Sequence, residues 1–322
     1  MAAETPTRHV PSSAPSPAAP GPRARRRTGA GAGARLGSWT MGWYVGPAVL
    51  FMVALSALPL LVLIRMGLSD ITPRTLLNGW HWVGFANYAP VLTGDEFWTS
   101  LLATAYFTAF LLVVNVVVGF LAACWLTGPL RGAGVLQGVM VFIWATPPVV
   151  IGNVWKFLFA DDGLVNSSLG LAGLGPVPWL SSPALAIWSV SIVAAWASLP
   201  FSVILIKSSM LSIPAELYDA AAIDGAGLWQ TRLRITLPLL RPTLLILAVF
   251  TVMYGFRSFD FIYVLTGGGP GTSTATLPFL AYRDTFTKFD FSQGSVVASV
   301  SLLIVFGLGL VYLRTARKEL SL

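Results

Sequence analysis

Six long apolar stretches run along the chain, at about residues 41–64, 101–126, 135–158, 184–206, 242–264 and 294–313, with shorter polar segments between them. A helix rises 1.5 Å per residue, and the hydrocarbon core of a bilayer is about 30 Å thick, so about 20 apolar residues make one crossing. The pattern predicts an all-α integral membrane protein with six transmembrane helices. The first run is too long for the apolar core of a cleaved signal peptide and reads as a spanning helix. Residues 1–36 are rich in Ala, Pro, Gly, Ser and Arg without apolar periodicity, and they predict a disordered basic tail ahead of a six-helix domain at 37–322. Pro147-Pro148 falls inside the third run and removes two backbone donors, so that helix must kink or unwind. A structural bend and a feature of a transport path fit this break equally.

Composition confirms the class. The 322 residues are 55% hydrophobic and only 10% charged, with a mean hydropathy of +0.75, against about 25% charged residues in a soluble domain. The net charge of +7 does not indicate nucleic acid, because the basic residues sit at the ends of apolar runs rather than among aromatics on one face. Their distribution sets orientation instead. With a cytoplasmic N-terminus, the tail arginines lie inside together with Arg131, Lys207, Arg232, Arg234, Arg241, Arg314, Arg317 and Lys318. Only Arg65, Arg74, Arg283 and Lys288 then lie outside, amid seven acidic residues. The bias toward basic residues on the cytoplasmic side selects this topology, with both termini and the 207–241 loop in the cytoplasm. Trp43, Trp98, Trp155, Trp179 and Trp229 fall near predicted helix ends, as interfacial anchors do.

The polar segment at 214–238 has internal design. Ser212 or Ile213 is placed to cap a helix of about three turns with Pro214 in its first turn. Glu216 and Asp219 stand near the positive end of its dipole, and Gly225 is placed to close it in a left-handed conformation. Leu217, Tyr218, Ala220, Ala221 and Ile223 give it an apolar, small-residue surface suited to entering a socket on another molecule.

The spacing Asp219-Ala220-Ala221, then Gly225, then Ile235, Leu237 and Pro238 resembles the "EAA" signature of ABC importer permeases. One letter departs from it, since the usual acid is Glu and Asp219 is one methylene shorter. Three further segments resemble the sugar-type branch, the permeases of the maltose, glycerol-3-phosphate and trehalose kind: Val83-Gly84-Phe85-Ala86-Asn87-Tyr88, Gly163-Leu164-Val165-Asn166, and Phe259 through Pro270. The resemblance covers about residues 40–315 and implies the type I importer architecture. It further implies a bacterial plasma-membrane location, a second and different permease, two copies of a cytoplasmic ATPase that carries ATP and Mg²⁺, an extracytoplasmic solute-binding protein, and a sugar or related polar solute. In that family the loop at 207–241 is the coupling helix that inserts into the ATPase.

Other candidate chemistry is sparse. Gly267-Gly268-Gly269-Pro270 lacks the Gly-Lys-Ser/Thr of a phosphate loop, and no such segment occurs elsewhere, so ATP hydrolysis belongs to a partner chain. Cys124 with His9 and His81 makes no metal site, and no Ser/His/Asp set or carboxylate pair has catalytic spacing. Arg257 and Asp260 are three residues apart and are expected to share one helix face, either as a structural ion pair or on the substrate path. Asn115 and Asn153 are intramembrane amides, for which helix–helix hydrogen bonding and pore lining are both open. An ion-coupled secondary transporter is the rival class. It needs intramembrane ionisable groups and repeated halves, of which only Asp260 is visible.

Overall fold

The computed structural model describes residues 38–320, apart from 78, 129 and 130. The expected tail at 1–36 lies outside the described residues. The chain forms two units, Met1–Ser56 and Ala57–Leu322. Of the first unit, only the start of helix α1 (Ser38–Gly67) is described.

After α1, two-residue strands β1 (Ser69–Asp70) and β2 (His81–Trp82) pair antiparallel, a feature that the hydropathy pattern does not announce. Helix α2 (Tyr88–Thr93) leads into the long α3 (Asp95–Leu126), which carries one π-helical turn at Val114–Val118. The third apolar run is broken into α4 (Ala133–Ala145) and α5 (Pro148–Leu158), bent by 101°. The cause is the expected one: Thr146 and Pro147 are extended, and Pro148 starts the next helix without needing a donor. Helix α6 (Leu164–Leu171) lies in the following connection, and α7 (Ala186–Leu211) is the most buried of the candidate spans. The polar loop contains α8 (Ala215–Ile223) and α9 (Leu228–Leu239). Helix α10 (Arg241–Arg257) follows a 70° bend and is succeeded by α11 (Asp260–Leu265), α12 (Leu277–Tyr282) and α13 (Phe291–Leu320). Among the described residues four helices are long and apolar enough to span unbroken, and the number reaches six when each bent pair is one crossing.

Three side-chain clusters hold the Ala57–Leu322 unit together. One joins α3, α5, α7 and α11 through Phe107, Leu111, Val190, Val193, Phe261 and Ile262. A second, nearer the polar loop, packs Phe120, Ile206, Met210, Leu240 and Leu247. The third packs Phe97, Leu277, Leu280, Val296 and Val297 at the other end. Burying aliphatic and aromatic side chains of this size contributes about 1.5–3 kcal/mol each in water. Within lipid that drive is replaced by close packing and hydrogen bonds between helices.

The fifth apolar run does not continue as one helix to residue 264. Ser258 turns extended (φ −68°, ψ 115°) and breaks the helix, and Phe259 caps the start of α11. Arg257 and Asp260 therefore sit on different helices rather than on one face, and no ion pair joins them. The break is stabilised by tertiary contacts, since the Phe259 ring packs against Tyr263, Phe279 and Tyr282.

Candidate functional site: the polar loop and the membrane cavity

All but two of the expected site residues, Asp260 and Asn153, fall in two places in the Ala57–Leu322 unit. Glu216, Asp219, Ala220, Ala221, Gly225, Ile235, Leu237 and Pro238 belong to the polar loop, while Arg257 and Asn115 line a cavity among the spans.

In the loop, α8 begins one residue later than expected. Pro214 is the N-cap residue, in an extended conformation with no side-chain cap, because the Ser212 hydroxyl donates instead to Ser209 O at 2.8 Å. Glu216 stands in the first turn, and both it and Asp219 are exposed. The far end of the helix follows the prediction closely. Gly225 has φ +70°, its N–H donates to Ala222 O at 3.1 Å, and the Ala226 N–H donates to Ala221 O at 2.9 Å. Those two bonds satisfy carbonyls that a helix end leaves unpaired, in the Schellman arrangement that favours glycine. Apart from its chain neighbours, no atom of the described residues lies within 4 Å of a Cβ built at Gly225, so its requirement here is backbone conformation rather than close approach.

The loop is anchored on one side and bare on the other. Ala221 is 5% exposed, the Tyr218 hydroxyl lies 3.3 Å from Thr236 Oγ1, and Arg232 reaches both the Tyr218 ring and the Thr127 hydroxyl. A π-helical turn at Arg232–Thr236 carries Ile235 and leads directly into Leu237-Pro238. On the other side Leu217, Ile223, Leu228, Trp229 and Leu233 are all exposed, Ile223 by 87%. This short helix buries Ala221 and presents Leu217 and Ile223 outward.

The cavity has a volume of about 450 Å³. Asn115 forms one wall from the π turn of α3. Its amide nitrogen donates to Leu111 O at 2.9 Å and to Ser198 Oγ at 3.0 Å, and its Oδ1 accepts from Ser202 Oγ at 2.7 Å. Asn115 thus ties α3 to α7 and lines the space as well. Opposite are aromatic faces: Trp144 stacks on Phe201 with centroids 5.8 Å apart, and Phe201 meets Phe250 edge-on at 6.2 Å. Arg257 is exposed at the cavity edge, with no hydrogen bond or ion pair among the described residues. Asp260 lies beyond the helix break and does not line the cavity. Asn153 is exposed on α5, where its amide donates to Val149 O at 2.8 Å. The Ser198–Ser202 pair and the Trp144–Phe201–Phe250 wall were not anticipated, although an i, i+4 serine pair in an apolar run is a visible signal.

The remaining motif segments prove to be organisers of the end opposite the polar loop. Asn87 donates to Gly67 O at 3.0 Å and Ser69 O at 2.9 Å. The Asn166 amide donates to Ala160 O, Asp161 O and Val177 O, and its Oδ1 accepts from the Val177 N–H and Trp179 Nε1, both at 3.0 Å. Gly268 (φ +82°) seats its backbone against the Phe279 ring, where any Cβ would collide, and Thr274 donates to Gly269 O. At the same end Lys288 bridges Asp284 at 3.0 Å and Glu96 at 3.2 Å, while Arg283 meets Glu96 at 2.7 Å. Burial works against the Lys288 ammonium, but the two carboxylates outweigh it and hold its pKa above the ordinary lysine range.

Residues 115–316, from the Asn115 wall through the polar loop to the last helix, match the family model of the binding-protein-dependent transport system inner membrane component. The chain belongs to this family. As a member, it is a membrane permease component of an ABC importer, and a transport subunit rather than an enzyme. It is 35% identical over 236 residues to the trehalose/maltose transport system permease protein MalF of Thermococcus litoralis, covering 73% of this chain and 80% of that one. To the diacetylchitobiose uptake system permease protein DasB of Streptomyces coelicolor it is 36% identical over 247 residues, covering 74% of each. The permease fold also matches a chain in the crystal structure of a bacterial ABC transporter for the acidic polysaccharide alginate. That match has a TM-score of 0.74 at 19% identity, covering 87% of this chain and 96% of that one.

Proposed function

We propose that this permease is one of two different membrane subunits of an importer for a saccharide, and that α8 with its flanking residues is the surface on which a separate ATPase acts. The observation that carries the coupling half is the split character of the loop. Tyr218, Ala221 and Thr236 fix α8 to the bundle, Gly225 sets its exit, and Leu217 and Ile223 stand unpartnered beside the acidic Glu216 and Asp219. Such a fixed apolar knob transmits a push to the spans behind it, whereas a freely mobile loop would absorb the motion. The basic residues Arg131, Lys207, Arg232, Arg234 and Arg241 share the side of the bundle that carries this loop, which supports a cytoplasmic loop and cytoplasmic termini.

ATP with Mg²⁺ binds the partner ATPase in this scheme, and two ATPase copies close on nucleotide and draw the coupling helices of the two permeases together. The bundle then turns from inward-facing to outward-facing as a solute-binding protein delivers its ligand. The cavity is this chain's half of the path. Aromatic faces and amide, hydroxyl and guanidinium groups suit a saccharide, whose C–H faces stack on rings while its hydroxyls need hydrogen bonds. The names of the relatives, transporters for trehalose, maltose and diacetylchitobiose, point the same way.

The test is uptake of radiolabelled maltose, trehalose and N,N′-diacetylchitobiose by the assembled transporter in proteoliposomes with ATP inside. The expected result is saturable, ATP-dependent uptake of at least one sugar, lowered about tenfold by Arg257→Ala, in line with loss of a charged hydrogen bond. Unchanged uptake by Arg257→Ala removes Arg257 from the path. Uptake that follows an ion gradient without ATP revives the secondary-transporter reading.

A further inference from the structure

Beyond the cavity, at the end opposite the polar loop, aromatic rings continue in a series that begins at Phe259. Phe259 stands two residues from Arg257 and two from Phe261, both cavity-lining. Its ring lies 4.8 Å from that of Tyr282 and 5.2 Å from that of Tyr263, the latter stacked at 25°. Tyr263 and Tyr282 are 5.6 Å apart, and Tyr282 is 5.4 Å from Phe286. The series therefore runs from the cavity edge, across α11 and α12, to the turn before α13.

Phe259 packs partly against the core, and the series opens outward from it. Tyr263 is 50% exposed and Phe286 61%, while Phe279 behind them is buried and supplies the rigid backing. The surroundings are unlike a lipid-facing surface. Asp260, next to Phe259 in the chain, is exposed and has no ion pair among the described residues, two phenol hydroxyls punctuate the series, and the Glu96–Arg283–Lys288 group borders its end. The exposed side of α13, by contrast, carries Leu303, Phe306 and Leu310 in sequence, with no charged residue until Arg314. An unpaired carboxylate is costly against hydrocarbon and unremarkable beside a wet path.

We propose that Phe259, Tyr263, Tyr282 and Phe286 form a saccharide-stacking subsite between the outer surface and the cavity, over which a sugar passes ring by ring on its way to Arg257. The proposal rests on the saccharide-importer reading. Every pyranose offers an apolar C–H face that meets the negative face of an aromatic ring, so a chain of rings binds at each step without demanding one stereochemistry. Asp260 and the phenols accept or donate to the hydroxyls at the ring edges. Spacings of about one sugar ring keep each station in reach of the next, which lowers the barrier between them.

The test is the concentration dependence of maltose, trehalose and N,N′-diacetylchitobiose uptake by the complete transporter carrying Phe286→Ala, Phe286→Leu, Phe286→Trp and, separately, Tyr263→Ala, Tyr263→Leu and Tyr263→Trp. Expected is a rise of about three- to tenfold in the half-saturating sugar concentration for Ala and Leu alike, and near-normal values for Trp. Leu as good as Trp would mean that the surface only packs against lipid or the second permease, and would overturn the subsite. If wild-type protein imports none of the three sugars, the saccharide reading fails and the subsite with it. Normal wild-type uptake with Leu-type rescue sinks the subsite alone.

Discussion

Two helix exits at opposite ends of the permease use the same left-handed turn with different means. At the polar loop the residue is Gly225, φ +70°, with open space around it and two backbone bonds closing the helix. At the other end it is Phe289, φ +56°, 58% exposed, following a π-helical turn. A left-handed conformation costs a residue with a Cβ about 1–2 kcal/mol, and a bulky residue there is uncommon. Around Phe289 the fold compensates. The Lys288 N–H donates to Arg283 O and the Asp290 N–H to Asp284 O, the Lys288 side chain bridges Asp284 and Glu96, and Asp290 Oδ1 accepts from the Gln293 N–H. One end is shaped by a local residue choice and stays exposed. The other is held by backbone bonds within its own turn and by the ion pairs of Lys288 with Asp284 and the distant Glu96.

The largest effect that would break this contrast is at Gly225. Gly225→Val puts a β-branched side chain at φ +70° and should leave the spans inserted while uptake falls by at least about twentyfold, since α8 can no longer exit in register. Membrane insertion judged by protease protection, together with uptake, checks this. Normal uptake would mean that the helix exit does not matter. Next is Asn166→Ala, which deletes a buried side chain joining residues 160, 161, 177 and 179 and strands the half-buried Val177 N–H. A cost of about 1–3 kcal/mol is expected, read as a lower midpoint in thermal unfolding of the detergent-solubilised permease. An unchanged midpoint would show that the opposite end is not held by such contacts.

These two residues also mark what was legible beforehand. Gly225, the apolar α8 face and the Pro147-Pro148 break are local matters of propensity and backbone geometry, so sequence spacing reveals them. The break after Arg257 was not visible, because Ser258 and Phe259 carry no breaker signal. Phe259 leaves the helix to meet rings from α11 and α12, contacts set only by the tertiary fold. The cavity wall is intermediate. Asn115 was identifiable as an intramembrane amide, but its partners Ser198 and Ser202 lie more than 80 positions away along the chain. The resemblance to permease motifs located Asn87 and Asn166 without disclosing that both work by gathering backbone carbonyls.

The smallest effect sharpens the picture of the opposite end. Glu96 is 53% exposed and pairs with Arg283 and Lys288 in the open, so Glu96→Gln should cost below about 1 kcal/mol, and less at high salt. A shift in the unfolding midpoint as large as that of Asn166→Ala would place the ion pairs, rather than the buried amide, at the centre of that end's stability.

The most direct test of coupling through α8 is proximity. In a Cys124→Ala background, which removes the chain's lone cysteine, Ile223→Cys and Phe286→Cys are introduced singly. Each assembled transporter is then treated with a short thiol-to-amine crosslinker. Ile223→Cys should crosslink to the ATPase, with a yield that changes on adding ATP and vanadate, and Phe286→Cys should not. ATPase captured from Phe286→Cys and absent from Ile223→Cys would contradict the assignment of α8 as the coupling surface.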